Sequence, residues 1–312
     1  MTRRTWPLLP ALSTVLVSLA AAVLLAVPAS AEDQERVSAV NPVGNDISYP
    51  QCTASGWDGE TYVGLGATAV PSSARFGIVG VNGGTAAIAN PCLPAQLAWA
   101  GRLPGLANQP RLQLYVNTAN PGAVLREFGV VTWPVATTAG NPYNAVANQP
   151  EGCTADGVGT NTPACSWQYG WERAEWAVSL VDAAAAEADV TVNLSATVVW
   201  LDVETSNTWQ SGVTGLRNNA AVLEGMTARY ESQGAEVGLY STRYQWGLIV
   251  GGNLGTTRDL AGLDSWIAGA PNLDAAKSFC DTKPALTTGG EVTLAQYVPK
   301  DLDLNYSCAD RP

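Results

Sequence analysis

Val198-Val199-Trp200-Leu201-Asp202-Val203-Glu204-Thr205 is the stretch that decides how this chain folds. Its β-branched and aromatic content suits a strand. Side chains alternate along a strand, so Trp200, Asp202 and Glu204 share one face while Val199, Leu201 and Val203 share the other. An apolar face that packs on helices, opposite a face ending in two carboxylates, is what the C-terminal mouth of a β/α-barrel strand needs, and active sites sit at that mouth. Two carboxylates in one pocket perturb each other: repulsion and desolvation raise one of them until it can hold a proton near neutrality. Such a pair can protonate a glycosidic oxygen and stabilise an oxocarbenium-like transition state. Asp-x-Glu alone is a short pattern, and two solvated acids at a strand end, capping the next helix, account for it equally well.

Outward from this stretch, short apolar segments alternate with helical ones, as a sheet of mainly parallel strands requires. Strands are expected at Asp46–Tyr49, Phe76–Asn82, Arg111–Thr118, Thr197–Glu204, Glu236–Thr242, Ser265–Ala270 and Val292–Val298. Between Ser166 and Asp189, Trp167, Trp171, Ala174, Val178, Val181 and Ala185 recur at alternating spacings of four and three, which predicts a helix with one apolar face. Gly215 to Gln233 repeats the pattern with Leu216, Ala220, Leu223, Thr227 and Tyr230, and Gly234 is suited to end that helix. Core packing is the better account of the two tryptophans than a ligand platform. The expected fold class is α/β, a single TIM-like β/α barrel. Its least regular stretch, 119–165, reads as an insertion loop on the mouth side, because it follows a strand.

Composition narrows the chemistry. The 312 residues include no His, which removes Ser-His-Asp and Cys-His catalysis and His-ligated zinc or haem. Acid–base work must fall to carboxylates, tyrosines or lysines. A net charge of -11 offers no basic footprint for nucleic acid or an anionic membrane. No Gly-x-Ser-x-Gly, Ser-x-x-Lys, Asp-Thr-Gly, Walker or dinucleotide pattern occurs. Asp301-x-Asp303-x-Asn305 mimics the start of an EF-hand loop, but Tyr306 stands where that loop needs Gly and Pro312 where it needs Glu, so no metal is expected there.

Residues 1–31 read as a signal peptide. Arg3 and Arg4 precede an apolar run from Trp6 to Val27, and Ala29-Ser30-Ala31 has the small-x-small pattern of a cleavage site. An uncleaved anchor is the alternative, since the run approaches the length of a membrane span. Residues 32–312 then form one exported domain, secreted and free of the membrane after cleavage. All six cysteines lie in it, and an even number in an exported chain favours disulfides. Six cysteines allow fifteen pairings, among which sequence does not choose. Proximity favours Cys153 with Cys165, and less sharply Cys52 with Cys92 and Cys280 with Cys308.

Other segments extend the pattern. Gly44-Asn45-Asp46-Ile47-Ser48-Tyr49 puts an acid on a first strand, and Leu239-Tyr240-Ser241-Thr242 and Trp266-Ile267-Ala268-Gly269 give later strands polar or aromatic ends. Gln296-Tyr297 is followed by Asp303-Leu304-Asn305. In this order and spacing the chain resembles the glycoside hydrolase family 25 lysozymes, the N-acetylmuramidases, from Asp46 to Asn305. Each motif is short, and their specificity lies in the order.

The resemblance implies a barrel of the irregular family 25 type that cleaves β-1,4 linkages in peptidoglycan, without a cofactor and as a monomer. By resemblance Glu204 is the proton donor with Asp202 beside it, and Asp46 and Asp303 supply the remaining pocket carboxylates. Tyr115, Tyr240, Trp266 and Tyr297 are candidates to stack on sugar faces, each also explicable as barrel packing. The second strand ends Gly80-Val81-Asn82-Gly83-Gly84 and the third Leu114-Tyr115-Val116-Asn117-Thr118, where the family has a Lys-Ala-Thr-Glu-Gly-like end and a Tyr-His-Phe-like element. The groove walls therefore differ while the four acids persist. Two other expectations stand beside the lysozyme-like one: a barrel that binds glycan at the cell surface without cleaving it, and a hydrolase of another N-acetylated polysaccharide.

Overall fold

In the computed structural model, residues 42–52, 73–82, 86–122, 133–145, 152–155, 158–251, 259–299 and 303–311 are described. The expected leader, residues 1–31, lies outside them. Asn41–Pro312 forms one compact unit.

Eight strands close into a barrel. They are β1 (Val43–Ile47), β2 (Gly77–Gly80), β3 (Leu112–Asn117), β4 (Val198–Asp202), β5 (Glu236–Ser241), β6 (Asp264–Ala270), β7 (Val292–Tyr297) and β8 (Leu304–Ser307). Neighbours from β1 through β7 pair in parallel, whereas β8 runs antiparallel to both β7 and β1 and closes the ring. Five helices are described: α1 (Leu93–Ala100), α2 (Pro163–Glu187), α3 (Gly212–Glu231), α4 (Arg243–Val250) and α5 (Leu273–Thr282). No described helix is long and apolar enough to cross a membrane.

The alternation read from residues 198–205 holds. Val199, Leu201 and Val203 face the helices and join the main core with Val178, Val181, Val222 and Leu223, while Trp200 turns inward to a second cluster with Phe76, Ile78, Trp266 and Leu294. The observed strands are mostly one to three residues shorter than expected, and the first and last depart most. β1 begins at Val43, upstream of Asp46, because Val43 to Asn45 pair with Tyr306 to Leu304, and it stops at Ile47, since a 3-10 turn with Pro50 in its first positions takes the chain away from the sheet. β8 was not anticipated as a strand: four residues with only Leu304 and Tyr306 apolar carry little periodic signal.

The two long helices form as their periodicity predicts. Thr162 caps α2 by accepting the Cys165 N–H, with Pro163 pre-set for the first turn. α3 ends at Glu231, and Gly234, at φ 79°, turns the chain into β5. α2 and α3 touch backbone to backbone: a methyl group at Gly170 would overlap the Val222 carbonyl oxygen, and one at Gly225 the Trp167 carbonyl oxygen. Trp167 stacks on Trp171 at 5.3 Å beside this contact, a packing role as expected. Disulfides join Cys52 to Cys92, Cys153 to Cys165 and Cys280 to Cys308, the three pairs that proximity favoured.

The described part of the 119–165 stretch holds a 3-10 turn at Pro142–Ala145, a small hairpin and the start of α2. It clamps onto the helices. Trp133 stacks on Tyr169 at 4.9 Å, Thr138 N–H donates to Gln168 Oε1 at 2.9 Å, Asn141 Nδ2 donates to the Ala164 carbonyl at 2.7 Å, and Tyr143 Oη donates to Glu224 Oε2 at 2.5 Å.

Candidate active site

Parallel strands all end at one mouth, and there the chain gathers its acids. Asp46 from β1, Asp202 at the end of β4, Glu204 two residues beyond it and Asp303 just before β8 line one cleft of about 190 Å³. Asp303 reaches this end because β8 runs against its neighbours and so begins where they finish. Tyr115 from β3, Tyr240 from β5, Trp266 from β6 and Gln296 from β7 complete the lining. A larger cleft of about 810 Å³ lies at the opposite end, around Leu112 and Thr197 where β3 and β4 begin, and holds none of these acids. Chemistry, not size, marks the site.

Of the four aromatics expected to meet sugar, Tyr297 is not in the lining. Neighbouring strand residues face opposite sides, so Gln296 points inward and Tyr297 outward, where it is 6% exposed among Val43, Ala270, Ala276 and Tyr306. Trp266 lines the cleft as its floor: it is 2% exposed, with the Tyr240 ring at 4.3 Å and the Trp200 and Tyr115 rings edge-on at 5.9 and 6.3 Å. Tyr115 and Tyr240 are half-buried.

Hydrogen bonds tie these groups together. Tyr240 Oη donates to Gln296 Oε1 at 2.8 Å, and Gln296 Nε2 donates to the two Asp46 oxygens at 3.2 and 3.3 Å. Trp266 Nε1 donates to Asn305 Oδ1 at 2.9 Å, and Asn305 Nδ2 donates to Asp46 Oδ1 at 2.7 Å. Burial, reinforced by the Asp303 charge, pushes Asp46 up to about 7 against the pull of those two amides. Asp202 is raised as well. Burial first, then the charges of Glu204 and Asp46, hold it well above the carboxylate range, and its Oδ1 is buried with no hydrogen-bond partner. Burial likewise raises the Tyr115 and Tyr240 phenols, helped by the nearby acids.

Glu204 is half-buried, one pleat beyond Asp202 towards the opening. Its carbonyl accepts Trp209 Nε1 at 2.8 Å, and Gln245 Nε2 approaches its Oε1 at 3.5 Å. The Gln245 amide is oriented by Thr205, whose N–H and hydroxyl donate to Gln245 Oε1 at 2.6 and 2.9 Å. Gln296 and Asn305 stood in the quoted motifs without a role, although alternation places both inside the barrel. Gln245 left no signal, since a glutamine on an amphipathic helix is ordinary. Asn82 and Asn117, at the unusual ends of β2 and β3, pair with each other: Asn82 Nδ2 donates to the Asn117 carbonyl at 2.9 Å, and Asn117 N–H donates to Asn82 Oδ1 at 2.7 Å. Gly83 and Gly84 lie outside the described residues, and no described residue of 119–165 lines the cleft beyond β3. Among the described residues, no group of three or more His, Cys, Asp or Glu side chains is arranged to hold a metal ion.

Comparison with known proteins bears on this cleft. A family model described as lysozyme-like protein 1 matches residues 181–279, the segment with Asp202, Glu204, Tyr240 and Trp266. A Dictyostelium discoideum protein named "Probable GH family 25 lysozyme 2" is 32% identical over 87 residues, which make up 28% of this chain and 36% of that protein's length. The resemblance to glycoside hydrolase family 25 is borne out. Two solved structures are similar at low identity. The bacterial lysozyme from Streptomyces coelicolor is 13% identical with a TM-score of 0.42, covering 85% of this chain and 91% of that one. A family GH25 lysozyme from Aspergillus fumigatus is 11% identical with a TM-score of 0.41, covering 85% and 92%. The closed barrel itself rests on strand order and register. Asp46 and Asp303 come to its cleft from outside the matched segment.

Proposed function

We propose that this chain is a glycoside hydrolase that cleaves β-1,4 linkages of an N-acetylated glycan, peptidoglycan above all, with Glu204 as the general acid. The observation that carries it is the convergence of Asp46, Asp202, Glu204 and Asp303 on one cleft. A site that only binds a neutral sugar has no use for four carboxylates facing one another, because each adds repulsion and desolvation cost. A glycosidase uses them: one acid protonates the leaving oxygen, and the remaining charge stabilises the cation that develops at the anomeric carbon.

Glu204, half-buried and one pleat beyond Asp202 along the chain, is the acid placed to meet a glycosidic oxygen. Asp202, its carboxyl raised by burial and then by the charges of Glu204 and Asp46, lines the cleft one pleat deeper than Glu204. The half-buried Tyr115 and Tyr240 rings flank this point as apolar walls, a common way to receive a pyranose face. We also propose that residues 1–31 are a leader, that 32–312 form the working domain, that the domain acts as a monomer and that it acts outside the cytoplasm. Three formed disulfides suit that compartment.

Glu204→Gln tests the reading. It should abolish release of reducing ends from purified peptidoglycan, a loss of at least about 100-fold, while circular dichroism stays that of the parent. Wild-type protein that releases nothing from peptidoglycan or chitin-type substrates between about pH 3 and about pH 8, the range over which a carboxylate acid would work, would sink catalysis. The non-cleaving glycan-binding barrel would then stand.

A further inference from the structure

Asn305 is fully buried beneath the cleft, between the Trp266 indole and Asp46. An indole N–H can only donate, so the amide oxygen of Asn305 must face Trp266 and its Nδ2 must face Asp46. Flipping the amide would set donor against donor at one end and carbonyl oxygen against carboxylate at the other. Gln296 presents a second N–H to the same carboxyl, but its orienting partner is the Tyr240 hydroxyl, which rotates and can accept as well as donate. The Asn305 amide is therefore the more firmly fixed of the two.

Asp46 needs such a donor. The groups that share its space are the carboxyls of Asp303, Asp202 and Glu204 and the phenols of Tyr115 and Tyr240, and no Lys or Arg is among the described residues lining the cleft. With no counter-cation among those described residues, the amide N–H groups are what favour the carboxylate form. Their donation also aims the carboxyl at the opening.

We propose that Asn305 is a positioning residue: its amide, locked by the Trp266 indole, holds Asp46 toward the cleft and keeps that carboxyl able to ionise among its acidic neighbours. This deepens the reading of Asp46 as a working carboxyl of the cleft, yet its test needs no substrate. The full chain is labelled at its aspartate carboxyl carbons and followed by NMR through a pH titration, with Asp46→Asn identifying the Asp46 signal. Trp266→Phe keeps a ring in the floor but removes the lock, and Asn305→Leu removes the donor at similar volume.

Asn305→Leu should raise the Asp46 midpoint by about one pH unit, because a donor to the charged form has been lost, and Trp266→Phe should raise it by a smaller but resolved amount, because the unlocked amide no longer holds its N–H on the carboxyl. An unmoved or lowered midpoint in folded Trp266→Phe overturns the proposal whatever Asn305→Leu does, and Trp266→Phe decides alone if Asn305→Leu does not fold. Where wild-type protein hydrolyses glycan, the limb of the pH profile that follows Asp46 should move the same way with kcat reduced more than KM. A protein that shows the titration shift but no hydrolysis would refute the enzymatic reading and leave this one standing.

Discussion

Asp46 makes the stability of this protein depend on pH in the direction opposite to that of a salt-bridged acid. Burial and the Asp303 charge raise its carboxyl from 3.8 to about 7 in the folded state. Between those values the folded chain holds a proton that the unfolded chain has released, so stability falls as pH rises. The contribution is fully present below the unfolded value of 3.8 and is lost as pH rises through about 7. At about 1.4 kcal/mol per pH unit the gap of roughly three units amounts to about 4 kcal/mol, an upper value because Asp303 shares in the same proton equilibrium. Asp202, raised by burial and by the charges of Glu204 and Asp46, adds to the same trend.

Urea unfolding with the disulfides intact, measured at intervals from about pH 4 to about pH 8 (the window set by this linkage), should show stability declining across the range. Asp46→Asn, nearly isosteric and able to accept from Asn305 and Gln296 through its own amide oxygen, should make that decline shallower and be the more stable protein at the alkaline end. The Asp202 share of the slope should survive in the variant. Wild-type stability that is level or rises with pH, or an unchanged slope in Asp46→Asn, would refute the assignment of a buried, proton-holding Asp46.

The backbone contact between α2 and α3 predicts that Gly225→Ala costs about 3 kcal/mol by overpacking, whereas Gly247→Ala, with open space around it in α4, gains up to about 1 kcal/mol from helix propensity; urea midpoints of the two variants decide. Tyr297→Ala should cost about 3 to 5 kcal/mol of stability and leave KM for glycan unchanged in the folded fraction, since its ring packs outside the cleft. Tyr240→Phe should do the reverse, altering kinetics through the lost hydrogen bond to Gln296 with a smaller effect on stability.

Residues 198–205 disclosed the barrel because alternation is a strong signal where one face meets helices and the other an inward cavity: Val199, Leu201 and Val203 could only face outward once Trp200 and Asp202 faced in. β8 was illegible for the converse reason. Its inward Asn305 and Ser307 are polar, it spans only four residues, and one of its two pairing partners, Val43 to Asn45, is remote in sequence, so little local marked it as a strand. Among the candidate residues, the acids were visible as motifs, while Tyr297 came in with Gln296 although adjacent strand positions cannot share a face. The side chains that orient the acids were the hardest to see. Asn305, Gln296 and Gln245 act through amides, whose role depends on which partner fixes each end, and that information exists only in three dimensions.

The antiparallel seam has a kinetic meaning as well as a geometric one. Val43 to Asn45 meet Leu304 to Tyr306 across nearly the whole chain, a contact whose loop-closure entropy is met only after the intervening strands and helices have ordered. Asp46 and Asp303, with the amide that steadies the first of them, sit on the two sides of that seam, while Asp202 and Glu204 sit on one central strand and the turn after it. A chain with the central strands formed and the ends unjoined would own half of its acids in place and no cleft. Appearance of the complete carboxylate set during refolding should therefore lag behind helix formation and coincide with closure of the ring, so that the site itself serves as a clock for the last step of folding.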